Sequence, residues 1–143
     1  MKLTIILERE DNELQGVISH PNFTIFAAED TTDALIATFR EQIQGFLDNE
    51  CKDIPEWQGV KVEDIEFGYV ATVEGLFDAF DFLKISAIAK EAGINASLLR
   101  QYASGIKYPS MATAKKIEQA LHRLAQSMLQ MQVAQLPLSR VAA

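Results

Sequence analysis

The chain has 143 residues, of which 48% are apolar and 23% charged, so it can bury the core of one ordinary domain or two small ones and is not a disordered chain. Its net charge of minus 7, taken as a whole, argues against nucleic acid, and the single Cys51 excludes an internal disulfide. His20 and His122 lie too far apart in the sequence to suggest a metal site, and we expect no cofactor. The N-terminal apolar residues stop after Leu7, so we expect no signal peptide, no membrane span and a cytoplasmic protein.

The first part of the chain predicts a meander of three short strands. Apolar residues alternate in Lys2 to Glu8 and again in Leu14 to Ser19, and Asp11-Asn12 between them offers turn chemistry, so the two segments should form a hairpin. After the break at His20-Pro21-Asn22 the alternation resumes. This third strand is predicted from Phe23, Ile25 and Ala27.

A helix and a fourth strand should follow the meander. Thr31 or Thr32 can cap the helix, and residues 48–64 form a polar loop that Trp57 holds down by packing. Ile65 to Ala71 alternates again and can pair with the earlier strands. The helix has one apolar stripe, formed by Leu35, Ile36, Phe39, Ile43, Phe46 and Leu47. Residues 1–72 are therefore predicted to form a small antiparallel-sheet domain, and the chain belongs to the α+β class.

Residues 73–143 change to a helical period, which predicts a second, all-α domain. A short apolar helix begins at Val73 and precedes Ile85 to Tyr108, whose spacing is typical of a helix-turn-helix. Gly93 follows the last periodic residue of the first helix, where a glycine can cap the helix in a left-handed conformation. Asn95 can cap the second helix, which should extend to Ser104, by accepting from the amides of the next three residues. The residues predicted to hold the two helices together are Ile88, Ala89, Leu99 and Tyr102.

Capping residues also predict the outer ends of this helical segment. Lys84 is not a capping residue, so Ser86 should cap the first helix and shorten it by about two residues. Pro109-Ser110 should begin the last long helix, since proline fits at a helix entry and serine can cap it. The apolar stripe of that helix continues beyond the needs of a small domain, which makes three residues candidate dimer contacts: Leu124, Met128 and Met131.

The two halves of the chain carry opposite charge. Residues 1–82 hold 18 acidic and 5 basic side chains, a net charge of minus 13, whereas residues 83–143 hold 2 acidic and 8 basic side chains, a net charge of plus 6. The predicted helix-turn-helix lies in the basic half. This asymmetry indicates a nucleic-acid contact on that half and a different partner on the other.

The helical segment from Ile85 to Ala125 resembles the lambda-repressor-like (XRE-type) family of bacterial and phage regulators, through Ala89, Gly93, Leu99, Tyr102 and the turn ASGIKYPS. The N-terminal half, with MKLTIILERE and TTDALIATFREQIQGFLD, is similar to the small domain of HicB-type antitoxins, which precedes a DNA-binding segment. The resemblance implies a bacterial HicA/HicB-like pair. One half of the antitoxin would bind a small basic RNA-cleaving toxin, and the other half would bind its own operator and so autoregulate the operon.

If the second helix enters a major groove, the residues opposite Leu99 and Tyr102 face the DNA. Gln101 can pair with adenine, Ala96 can touch a thymine methyl, and Ser97 can reach a base or a phosphate. These three are the predicted base contacts.

Phosphate contacts are expected from Arg100 and from the turn after the helix, where the amides of Gly105 and Ile106 should also contribute. The side chains predicted for this turn are Ser104, Lys107 and Tyr108. Solubility is the alternative role of Arg100 and Lys107, and packing is the alternative for Tyr108. One module contacts few phosphates, so we expect a homodimer or a higher even oligomer on a two-fold operator, with half-sites ~34 Å or a multiple of it apart.

The alternative function is a protein–protein interaction or oligomerisation module without DNA binding, in which the helical half only packs. We do not expect an enzyme, because acidic pairs such as Glu8 with Glu10 or Glu63 with Asp64 have no histidine or serine partner at a motif spacing.

Overall fold

The computed structural model describes residues 1–140, which form a four-stranded sheet and five α-helices. The protein is therefore α+β. Contacts between residues divide the chain into two compact units. Unit 1 comprises residues 1–83 with residues 101–108, and unit 2 comprises residues 84–100 with the residues from 109 onward.

Three strands of unit 1 form the predicted meander: β1 (Lys2–Glu10), β2 (Glu13–His20) and β3 (Phe23–Glu29). Asp11 and Asn12 have φ angles of 51° and 67°, the conformation of a two-residue hairpin turn whose twist matches that of the strands it joins. Both strand pairs are antiparallel. The predicted hairpin and third strand are confirmed.

Helix α1 (Thr32–Asn49) connects β3 to the fourth strand, β4 (Glu66–Ala71), which pairs with β1 in the order β3-β2-β1-β4. The hydroxyl of Thr31 accepts from the amide of Ala34 at 3.1 Å, as predicted for the cap. The predicted antiparallel sheet is wrong for β4, which runs parallel to β1. The sheet is mixed because a helical crossover returns the chain to the end of the sheet at which β1 starts.

The core of unit 1 lies between one face of the sheet and α1. Trp57, in the connection from α1 to β4, is 1% exposed, and its indole Nε1 donates to the side chain of Asn22 at 2.9 Å. Its predicted packing role is confirmed. The buried residues of this core include Leu3, Ile5, Leu7, Leu14, Ile18, Leu35, Phe39, Ile43, Phe46 and Cys51.

Helix α2 (Val73–Ala79) packs on the same sheet, although its helical period predicts that residues from 73 onward belong to the second domain. Gly75 is buried, and a Cβ atom at this position would lie 3.2 Å from the carbonyl oxygen of Leu7. Arg9 and Asp78 form an ion pair at 3.3 Å. The close approach of the backbone at Gly75 and the ion pair of Asp78 thus attach α2 to unit 1. The helical spacing of apolar residues predicts neither contact.

Three helices follow: α3 (Ile85–Ala92), α4 (Ala96–Ala103) and α5 (Met111–Leu129). In unit 2, α3 packs against α5, and the guanidinium of Arg123 binds both the carboxylate and the backbone carbonyl of Glu91 at 2.9 Å. No helix in residues 1–140 combines the length and the apolarity that a membrane span requires. The buried residues of unit 2 are Ile88, Ala89, Ala92, Leu99, Ile117 and Ala120.

Candidate nucleic-acid interface

The turn between α3 and α4 is built on Gly93, which has φ 71° and ψ 33°. Its amide donates to the carbonyl of Lys90 at 3.3 Å, and the amide of Ile94 donates to that of Ala89 at 3.0 Å. These two bonds define the Schellman motif, a common way to end a helix with a left-handed glycine. The prediction for Gly93 is confirmed.

We expect Gly93→Ala to lower the free energy of unfolding by about 1 kcal/mol, because alanine is strained at this positive φ. No atom outside the local backbone lies within 4 Å of a Cβ built on Gly93, so the cost measures backbone strain without steric overlap. The measurement is urea denaturation followed by circular dichroism. Gly45→Ala is the matched control: Gly45 lies inside α1 with equally open space, and alanine there should stabilise the protein by about 0.5–1 kcal/mol. A stabilising Gly93→Ala would contradict the role of the turn.

The second helix of the pair begins with a side-chain cap. The side-chain oxygen of Asn95 accepts from the amide of Ser97 at 2.7 Å and from that of Leu98 at 3.3 Å, two of the three amides predicted. The capping prediction for Ser86 is wrong. Helix α3 begins at Ile85, and the carbonyl of Lys84 already accepts the first helical hydrogen bonds, so backbone bonds start this helix without a side-chain cap.

Helix α4 presents a polar face. The division between the two units falls inside this helix, after Arg100. Ser97 and Arg100 are exposed, whereas Ala96 and Gln101 are half-buried. Ser97 and Gln101 are four residues apart and therefore lie on one side of the helix. Leu99, which is fully buried, and Tyr102, which is 8% exposed, mark the inward side.

The turn after α4 satisfies most of its own polar groups. The amide of Gly105 donates to the carbonyl of Tyr102 at 3.1 Å, and the amide of Ile106 donates to that of Gln101 at 3.0 Å. The hydroxyl of Ser104 also donates to the Gln101 carbonyl, at 3.2 Å. The two amides and the hydroxyl that were expected to hold a phosphate are therefore occupied inside the turn. The side chains of Ser104, Lys107 and Tyr108 are all exposed, and their phosphate contacts stay predictions.

Glu74 is a neighbour of this turn that no sequence pattern predicts. A Cβ atom built on Gly105, which has φ 77°, would lie 2.5 Å from a carboxylate oxygen of Glu74. Glu74 and Gly105 both belong to unit 1. A carboxylate beside the turn would repel a phosphate there, in opposition to the positive charge of Lys107. No sequence spacing links Glu74 with a turn thirty residues later.

Some basic residues of the helical half form ion pairs with acidic residues, and others do not. Its two acidic residues, Glu91 and Glu118, are each paired at 2.9 Å, with Arg123 and Lys115 respectively. The hydrogen bond and charge of Lys115 hold the pKa of Glu118 below its ordinary value. Among residues 1–140, Arg100 takes part in none of the ion pairs, and neither does Lys107 in the turn. Both remain available to a polyanion.

Comparison of the chain with protein-family models, curated proteins and solved structures finds no match. A functional proposal for this chain therefore rests on the geometry of α3, Gly93 and α4 alone. Within the described part of the chain, no three or more histidine, cysteine or acidic side chains gather as a metal site would require.

Proposed function

We propose that this protein is a sequence-specific DNA-binding transcriptional regulator that reads its operator with α4. The observation that carries the proposal is the tight α3–Gly93–α4 turn, followed by a capped helix with a polar outer face. In a helix-turn-helix, the second helix enters the major groove and its N-terminal residues contact base edges. Ser97 and the half-buried Ala96 lie in the first turn of α4, and the half-buried Gln101 lies one turn further along on the same side as Ser97. These three residues would contact bases, and Arg100 and Lys107 would bind phosphates.

The proposed regulator acts as a homodimer or higher even oligomer. Leu124 is half-buried, whereas Met128 is 60% exposed, and Met131, just beyond the end of α5, is 72% exposed. Exposed apolar residues at the end of a helix favour contact with a second copy. A two-fold dimer would place two copies of α4 on half-sites about 34 Å or a multiple of it apart.

The proposal extends to an antitoxin. Residues 1–82 carry a net charge of minus 13, and a protein that cleaves RNA needs basic residues to hold the phosphate backbone. An acidic unit 1 would therefore attract a small basic toxin, while α4 binds the operator of the pair. Co-purification with a basic protein encoded beside this chain tests this part.

Selection of bound sequences from a random DNA pool tests the DNA-binding part. An enriched palindrome would support both DNA binding and two-fold symmetry. If no DNA binds even at low salt, the alternative is favoured, in which the four-stranded part of the chain oligomerises, the helical half only packs and the protein is an interaction module.

Against the selected operator, Gln101→Ala should weaken binding by about 1–3 kcal/mol, because a paired contact with an adenine is lost. The same variant should bind an operator changed at that adenine as well as the unchanged protein does. Fluorescence anisotropy with both DNAs is the measurement. Gln119→Ala, at an exposed position of α5, is the matched control and should leave binding unchanged. Equal losses on both DNAs would contradict the assignment of Gln101 as a base contact.

A further inference from the structure

The sheet of unit 1 has an open face crossed by a row of apolar side chains. The core and α1 lie on the other face. On the open face, Ile6 of β1 is paired with Val17 of β2 and with Val70 of β4, and Val17 is paired in turn with Phe26 of β3. The row thus contains one apolar residue from every strand. We call these four residues the sheet row.

The residues of the sheet row are well exposed. Phe26 is 53% exposed, Val70 56% and Ile6 44%, and Val17 is half-buried. A solvated face of a sheet ordinarily carries polar side chains, whereas a contiguous apolar patch marks an interaction site. At a strand spacing of about 4.8 Å, four strands give a row ~14 Å long. That length suits one segment of a partner chain.

Acidic residues lie beside the sheet row. A shallow depression on this face is lined by Ile6, Val17, Gln15 and Glu8, so apolar and acidic groups meet in one place. Glu10 and Glu13 are paired across the hairpin next to them. With Glu66 and Lys2 at the far end, the open face carries four glutamates and one lysine, a net charge of minus 3.

We infer that the sheet row is a docking site for a segment of a basic protein that presents both apolar and lysine or arginine side chains. Apolar contacts with the row would supply affinity, and the glutamates would select positive charge. A second copy of this chain fits poorly, because two faces of minus 3 would repel each other. The sheet row would then be the site on unit 1 where the basic partner of the proposed function docks. Only the identity of that partner rests on the proposed function.

The probe is an eight-residue peptide in which lysine alternates with valine, titrated into the ¹⁵N-labelled full chain and followed by amide chemical shifts. Saturable shifts should concentrate on the amides of the sheet row and its strand neighbours. A peptide with glutamate in place of lysine should not bind. Shifts spread over other acidic surfaces, equal binding of the glutamate peptide, or no saturable binding would overturn the inference.

A double variant, Ile6→Thr with Val17→Thr, separates apolar docking from simple charge attraction. Threonine keeps the β-branched shape that strands prefer, so the sheet should be preserved, and peptide affinity should fall at least ~5-fold. Ile106→Thr, at a position 73% exposed in the turn after α4, is the matched control and should leave the affinity unchanged. An unchanged affinity of the double variant would overturn the docking site.

Two further measurements distinguish peptide docking from self-association and from DNA binding. If dilution of the unliganded protein shifts the amides of the sheet row, the row binds a second copy and the inference is wrong. Operator binding by the double variant is measured separately and should be unchanged. A protein that binds the peptide without binding DNA would refute the DNA-binding proposal alone, and the reverse result would refute the docking site alone.

Discussion

Phe39→Ala should lower the free energy of unfolding of unit 1 by about 3–5 kcal/mol, which is most of the stability of a small domain. Phe39 is fully buried in α1, and its ring lies against the backbone of Gly16. Loss of the ring leaves a cavity that the rigid sheet cannot fill. Urea denaturation followed by the fluorescence of Trp57, the only tryptophan and a member of the same core, measures this unit directly.

The control for this variant is Phe82→Ala, the same change at a side chain that is 74% exposed. It should alter the free energy of unfolding by no more than about 0.5 kcal/mol. A cost below about 1 kcal/mol for Phe39→Ala would show that the packing of α1 on the sheet contributes little.

The sequence predicted those parts of the fold that depend on local patterns. Alternation placed the four strands, and Asp11-Asn12 and Thr31 marked a turn and a helix start because their side chains and backbones act within a few residues. The direction of β4 and the attachment of α2 were not predicted. Both depend on where a crossover returns the chain and on the approach of Gly75 to Leu7, which are tertiary features.

The same distinction between local and tertiary features applies to the candidate site. Gly93 and Asn95 were predicted correctly, since each satisfies backbone groups of its own helix end. The turn after α4 was harder to predict, because its amides donate hydrogen bonds to the carbonyls of Gln101 and Tyr102. Glu74, which is distant in the sequence, also lies beside this turn. The sheet row was also missed. Its members become neighbours only once all four strands are paired, and the parallel pairing of β4 with β1 depends on the crossover between β3 and β4.

The largest effect on DNA affinity is expected from the double variant Arg100→Ala with Lys107→Ala. A proposed dimer carries each residue twice, so four phosphate contacts would be lost. Each contact contributes about 0.9 to the slope of log K against log salt, so the slope should fall by about 3.6. If the electrostatic contribution is taken as zero at about 1 M salt, affinity at about 0.1 M should fall roughly a thousandfold or more.

The control for this double variant is Lys52→Ala with Lys61→Ala, which removes the same charge from two exposed positions of unit 1. This control should change the slope of log K against log salt little, because neither lysine lies on α4 or on the turn that follows it. Equal losses in the two double variants would mean that net charge alone governs DNA affinity and that α4 is not the contact.

Glu74 provides a change of opposite sign in the same assay. Its carboxylate lies beside the turn that carries Lys107, so Glu74→Gln removes a repulsion from the approaching phosphate while keeping the size of the side chain. Affinity should therefore rise for every DNA sequence, and most at low salt, where the repulsion is least screened. A gain limited to one sequence would assign Glu74 to base recognition, whereas a loss would mean that its carboxylate holds the turn in the shape that DNA requires.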